Sequence, residues 1–112
     1  MINIEFRGTQ MIYSVKARFD PKKMPEFYRK LTDGTILNQK PDGQEIVESM
    51  KRARIVEPNM IQWTETCYCS PPLKHERETV YDHFLTDIET EIVDDYMEFE
   101  GKPFLNYLEK SE

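Results

Sequence analysis

YSVKARF, residues 13–19, decides the fold, because its four odd-numbered residues are apolar and its three even-numbered residues are polar. A side-chain period of two is typical of a β-strand with one buried face and one face in water. The same alternation recurs at residues 2–7, 60–69 and 79–93. The sequence therefore predicts an antiparallel sheet rather than a helical bundle.

Between these strands, apolar residues recur at helical spacing. Met24, Phe27, Tyr28 and Leu31 form one apolar stripe, which predicts a helix over residues 21–33. A second stripe predicts a helix over residues 43–54, formed by Ile46, Val47, Met50 and Ala53. A short final helix is expected at residues 103–110, with Pro103 at its start.

The predicted order is β-β-α-α-β-β-α in a single globular domain spanning residues 1–112. The three-residue loop Gly8-Thr9-Gln10 predicts a hairpin that joins residues 2–7 to residues 11–19. The expected fold class is α+β, a two-layer sandwich of a four-stranded antiparallel sheet with two to three helices on one face. A ferredoxin-like dimeric α/β barrel is the topological alternative. Residues 79–93 are long for one strand, so a bulge is expected near Asp82 or Asp87.

Composition favours a small soluble protein. Of the 112 residues, 32% are charged, and no stretch approaches the roughly 20 apolar residues of a membrane span. The first ten residues lack the basic start and apolar run of a secretory signal. We therefore expect a cytoplasmic protein, with reduced cysteines and no membrane partner.

Charge is unevenly distributed along the chain. The net charge is -6, yet residues 1–54 hold 11 of the 15 Lys and Arg and only 7 of the 21 Asp and Glu. From Glu78 to Glu100 there is no Lys or Arg. An acidic surface repels phosphate, so no nucleic-acid partner is expected. None of the Gly-rich phosphate-binding motifs occurs, so no cofactor is expected either.

Two carboxylates interrupt otherwise apolar strand faces, and they are the catalytic candidates together with a nearby imidazole. These are Glu65, Asp82 and His83. A buried carboxyl group that lacks a charged partner has a raised pKa, which suits acid or base chemistry. Tyr13 and Trp63 are expected to wall the corresponding ligand pocket between the sheet and the helices. The simpler alternative is that each carboxylate reaches water or pairs with a basic residue.

Cys67 and Cys69 are the most conspicuous local pair. On a strand both thiols would point the same way, and His75 is the imidazole nearest to them along the chain. The spacing matches no standard zinc motif, however, since four ligands are needed. The sequence therefore favours two buried thiols and no metal, with these three residues as the weak alternative site.

Apolar residues on the sheet's other face predict an interface. The expected exposed patch consists of Tyr68, Tyr81, Leu85 and Val93. From it we predict a non-enzymatic homodimeric interaction or regulatory module that uses an exposed sheet face and an acidic hairpin. The alternative is an enzyme that binds a small molecule, with an acid or base in a pocket between sheet and helices.

Overall fold

The computed structural model describes residues 11–67 and 71–110. They form an α+β fold with one antiparallel sheet of five strands and four helices. The helical segment called α3 here consists of three consecutive pieces, Lys74–Glu76, the π-helical Arg77–Tyr81, and Asp82–Phe84. The other elements are β1 (Met11–Phe19), α1 (Met24–Thr32), α2 (Gly43–Arg52), β2 (Arg54–Glu57), β3 (Met60–Cys67), β4 (Leu85–Val93), β5 (Lys102–Pro103) and α4 (Phe104–Lys110). The predicted class is confirmed, whereas the predicted four strands and two to three helices are each too few.

The strands lie in the order β4-β1-β3-β2-β5, and all the pairings are antiparallel. β1 therefore occupies the centre of the sheet, with β3 on one side and β4 on the other. The predicted hairpin joins residues 2–7 to β1, whose two edges are paired with β3 and β4. Residues 2–7 themselves lie outside the described residues.

One face of the sheet is buried, as the alternation predicted. The residues of β3 on this face lie opposite residues of β1 that are themselves mostly buried: Ile61 faces Ala17, Trp63 faces Val15, Glu65 faces Tyr13 and Cys67 faces Met11. All four helices add apolar side chains to the same core, among them Phe27, Met50, Tyr81 and Phe104. The helices therefore cover this inner face.

The predicted strand at residues 79–93 is correct only from Leu85 onward, since the preceding residues belong to α3. Val80, Tyr81 and Phe84 are buried at a spacing that also fits one face of a helix. The expected bulge lies at Asp87, which has a φ of 53°. Asp87 and Ile88 stand together opposite the single residue Ala17 of β1.

Two short strands were not predicted. The expected helix at residues 43–54 ends at Arg52, and the chain continues as β2, which pairs with β3 and β5. Gly101 precedes β5 with a φ of +144°, and a Cβ there would lie 2.1 Å from the carbonyl oxygen of Ile55. Only glycine fits this close approach of two backbones.

Residues 94–101 link β4 at one edge of the sheet to β5 at the other. This linking segment contacts the outer face of the sheet, where the Thr64 hydroxyl and the Met97 backbone exchange hydrogen bonds of 3.4 and 3.5 Å. Thr64 is consequently only 1% exposed although it points away from the core. Within residues 11–67 and 71–110, no helix is long and apolar enough to cross a membrane.

Candidate functional site

A carboxyl group lies at the centre of the core, on the inner face of β3. Glu65 is 0% exposed, and its Oε1 accepts hydrogen bonds from Trp63 Nε1 and from the Tyr81 hydroxyl, each at 2.8 Å. The Trp63 and Tyr81 rings also pack together, with centroids 5.3 Å apart. We call these three residues the buried acid centre.

The second carboxylate oxygen of the same residue has no hydrogen-bond partner in the part of the chain that the structure describes. Glu65 Oε2 is buried and accepts no hydrogen bond from any described residue. Glu76 on α3 is 2% exposed, and its negative charge adds to the effect of burial on Glu65. Burial holds the pKa of Glu65 well above its usual range, although the hydrogen bonds from Trp63 and Tyr81 act in the opposite direction. The structure therefore favours the neutral carboxylic acid.

The chain that brings Tyr81 to this centre has unusual backbone geometry. Leu73 is fully buried and adopts a left-handed conformation with a φ of 59°, immediately before α3 begins. The middle of α3, Arg77–Tyr81, is π-helical, and Tyr81 is its last residue. Both features are uncommon and occur preferentially at functional sites.

The buried acid centre is closed to solvent. Because Glu65 and Tyr81 are both 0% exposed, no substrate reaches the carboxyl group in this conformation. Trp63 and Tyr13, the predicted pocket walls, are themselves core residues, at 0% and 6% exposure. The burial of Glu65 fits the sequence argument, whereas its role in acid or base chemistry stays a prediction.

The other two catalytic candidates lie away from this centre. Asp82 was predicted on a buried strand face, but it is exposed on α3 and its Oδ1 lies 3.0 Å from Arg77 Nε. That placement was wrong because residues 79–84 are helical rather than extended. His83 is also exposed on α3, where it lines a cleft against α1.

The weak metal site is not assembled in the part of the chain that the structure describes. Cys67 is buried, with its Sγ 3.9 Å from Glu76 Oε1, and His75 Nδ1 lies 2.7 Å from Asp42 Oδ2. Cys69 lies outside the described residues. Among residues 11–67 and 71–110, no three His, Cys, Asp or Glu side chains are grouped closely enough to hold a metal ion.

The predicted exposed patch is wrong in its composition. Tyr81 and Leu85 are 0% and 2% exposed, because one belongs to the buried acid centre and the other begins β4 within the core. Val93 is half-buried at the end of β4. Tyr68 lies outside the described residues. These positions therefore form no continuous apolar surface in the described structure.

β4 carries three exposed acidic residues. Asp87, Glu89 and Glu91 are all exposed on it. Asp87 Oδ2 is 3.1 Å from Arg18 Nε, whereas Glu89 and Glu91 form no ion pair with a described residue. β4 is also an edge strand, since β1 is its only neighbour among the described strands.

Sequence reasoning missed Glu76, because no helix was predicted between the strands expected at residues 60–69 and 79–93. A signal was present in the sequence: Leu73, Glu76, Val80 and Phe84 recur at intervals of three and four, and all are buried. That spacing is helical, and a glutamate within it predicts a carboxylate on the buried face.

The chain matches no protein-family model, and neither a curated protein sequence nor a solved structure matches it. Its function is therefore inferred from the geometry of the described residues.

Proposed function

We propose that this chain is a non-enzymatic, cytoplasmic interaction module that binds a basic extended segment of another protein along the open edge of β4. The observation that carries the proposal is a strand edge that no described strand pairs, combined with exposed carboxylates that have no ion-pair partner among the described residues. The closed buried acid centre supports a structural role for that carboxyl group rather than a catalytic one.

The backbone of β4 is suited to the addition of another strand. In an edge strand, alternate N–H and C=O groups point away from the sheet and are available to another chain. β4 spans nine residues, from Leu85 to Val93, whereas β5 at the opposite edge has only two and includes Pro103. Because proline donates no hydrogen bond, the β5 edge is poorly suited to strand addition.

The charges on β4 favour a basic partner. On the paired side, Glu89 lies opposite Lys16, but the Lys16 ammonium binds Glu57 instead, at 3.1 Å. Glu91 lies opposite the uncharged Ser14. An incoming strand with Lys or Arg on this face would give both glutamates cross-strand partners of opposite charge.

The same charges disfavour pairing of β4 with β4 of a second copy. Glu89 and Glu91 lie on one face of the strand, so an antiparallel pair of identical strands would bring carboxylates side by side. Like charges directly opposite each other destabilise a sheet. A basic partner segment is therefore preferred to a second copy at this edge.

The test uses two synthetic peptides of about ten residues, one alternating Lys with Val or Thr and the other with Glu in place of Lys. We expect the basic peptide to shift the amide resonances of Leu85–Val93 in the isotope-labelled full chain and to slow their hydrogen exchange. The double substitution Glu89→Lys, Glu91→Lys should weaken its binding about tenfold, and added salt should weaken binding to the unmodified chain.

Glu109→Lys is the matched control, because it reverses an exposed glutamate on α4, away from the edge. It should leave the affinity for the basic peptide within about twofold. Equal binding of both peptides, or resonance shifts that spare β4, would contradict the proposal.

A homodimer through the outer sheet face is the second candidate function. The strand order β4-β1-β3-β2, with helices before β2 and after β3, is ferredoxin-like. This arrangement supports the homodimer because the alternative fold expected from the sequence was a ferredoxin-like dimeric barrel. Residues 94–101 already contact part of that face, which leaves less area for a partner. Native mass spectrometry of the unmodified chain without added peptide distinguishes the two candidates: a dimer favours the outer face, and a monomer favours strand addition at β4.

A further inference from the structure

A cleft of about 290 Å³ lies between α1 and α3, and Tyr81 is not among the residues that line it. Its floor is apolar and comes from Ile36, Val80 and Phe84, each at most 7% exposed. Its rim is polar and charged, and includes Glu26, Lys30 and His83. The lining is mixed, since six of the nine lining residues are polar or charged and three are apolar. A mixed lining suits a ligand that carries both charged and apolar groups, and the volume lies just below the roughly 300–1,000 Å³ of small-molecule pockets.

The cleft has well-ordered walls. The Phe84 ring stacks on Phe27 with centroids 4.6 Å apart, which fixes the floor. Gln39 Nε2 donates to the Thr79 hydroxyl at 2.8 Å, and that hydroxyl donates to the carbonyl oxygen of His75 at 2.8 Å. Both wall residues Thr79 and Val80 belong to the π-helical turn of α3, a feature enriched at functional sites.

The two charges at the rim are only loosely paired. Lys30 Nζ lies 3.7 Å from Glu26 Oε2, which is an ion pair but too long for a good hydrogen bond. The two side chains keep 35% and 55% of their surface exposed, so water screens their attraction. The Lys30 ammonium also lies 6.0 Å from the centroid of the Phe84 ring, at the edge of the apolar floor.

We propose that this cleft binds a small zwitterion with an apolar body, of the class of the α-amino acids with apolar side chains. The ammonium group of the ligand pairs with Glu26, its carboxylate pairs with Lys30, and its side chain packs on Phe84. Such a ligand replaces one long ion pair with two charge-assisted hydrogen bonds. An anion or a cation alone satisfies only one of the two side chains.

The test is a titration of the isotope-labelled full chain with L-phenylalanine and L-leucine, followed by nuclear magnetic resonance. Two analogues lack one charge each: 3-phenylpropionate has no ammonium group and phenethylamine has no carboxylate. We expect saturable shifts of residues in α1 and α3 with the amino acids and at least about tenfold weaker binding of both analogues.

Glu26→Gln and Lys30→Met should each weaken the binding of L-phenylalanine by about tenfold. The matched controls are Glu48→Gln and Lys51→Met, which alter a comparable ion pair on α2 with a 3.2 Å separation, and they should leave affinity unchanged. The absence of saturation up to about 10 mM overturns the proposal, as does an analogue that binds as tightly as the amino acid. The result is independent of strand addition at β4, because no cleft residue lies on that strand.

Discussion

Glu65 and Glu91 are both glutamates in strands of the same sheet, yet they occupy opposite environments. Glu65 on β3 is 0% exposed, whereas Glu91 on β4 is exposed. β3 is covered on its inner face by helices, while β4 is an edge strand. The two side chains also lie on opposite faces, since Glu65 stands opposite Tyr13 and Glu91 opposite Ser14 of β1. The face of the sheet and the position of the strand together decide whether a carboxylate is buried or reaches water.

The two carboxyl groups also differ in how strongly their surroundings disfavour the charged form. The carboxyl group of Glu65 accepts two hydrogen bonds from buried donors, but burial still dominates and raises its pKa. Glu91 keeps its contact with water and lacks an ion-pair partner among the described residues. The first carboxyl group is therefore part of the buried core, and the second is one of the two on which the proposed binding of a basic segment depends.

The largest expected difference between the two glutamates is the loss of stability when each is replaced by alanine. Glu65→Ala leaves the Trp63 N–H and the Tyr81 hydroxyl buried without an acceptor and opens a cavity, so we expect a loss of about 2–4 kcal/mol in the free energy of unfolding. Glu91→Ala, the matched surface change, should stay within about 0.5 kcal/mol. Urea denaturation of the two variants measures both values, and equal losses would refute the contrast.

A smaller effect, specific to the charge, is expected from Glu65→Gln. In the unfolded chain a glutamate titrates near pH 4.3, whereas the raised pKa of Glu65 keeps it protonated to higher pH in the folded protein. The resulting stabilisation is complete below the unfolded pKa and is lost as the pH rises through the folded pKa. Since glutamine cannot titrate, the free energy of unfolding of the Glu65→Gln variant should fall less over the same rise in pH.

Urea denaturation from pH 4 to pH 9 checks this difference, with Glu91→Gln as the control. The control should follow the unmodified protein at every pH. A Glu65→Gln profile parallel to that of the unmodified protein would show that the carboxyl group titrates alike in the folded and unfolded states.

The sequence predicted the central strands well. β1 and β3 were expected at residues 11–19 and 60–69 and are found at Met11–Phe19 and Met60–Cys67. Their alternation is strong because one face is buried along the whole strand. β2 and β5, with four and two residues, have no comparable pattern, since their pairing depends on contacts made only after the sheet assembles.

The candidate site was predictable only in part. Glu65 was identifiable because a carboxylate interrupts an apolar face, but its partner Tyr81 was placed on the exposed side of a strand. Residues 79–84 satisfy both a period of two and a helical spacing, so their pattern alone does not decide between the structures. A tertiary contact favours the helix, because the Tyr81 hydroxyl on α3 donates a hydrogen bond to Glu65 on β3.

The smallest of the three stability effects is expected from Tyr81→Phe, which isolates this tertiary contact. The substitution keeps the ring that packs on Trp63 and removes only the hydroxyl that donates to Glu65 Oε1, so the free energy of unfolding should fall by about 1 kcal/mol. Because that hydrogen bond lowers the pKa of Glu65, its loss should raise this pKa further and extend the decline in stability to higher pH. Tyr107→Phe is the control, since Tyr107 is half-buried and its hydroxyl forms no hydrogen bond with a described residue. If both variants lose the same stability with the same pH profile, the hydrogen bond does not hold α3 against β3, and packing alone selects the helix.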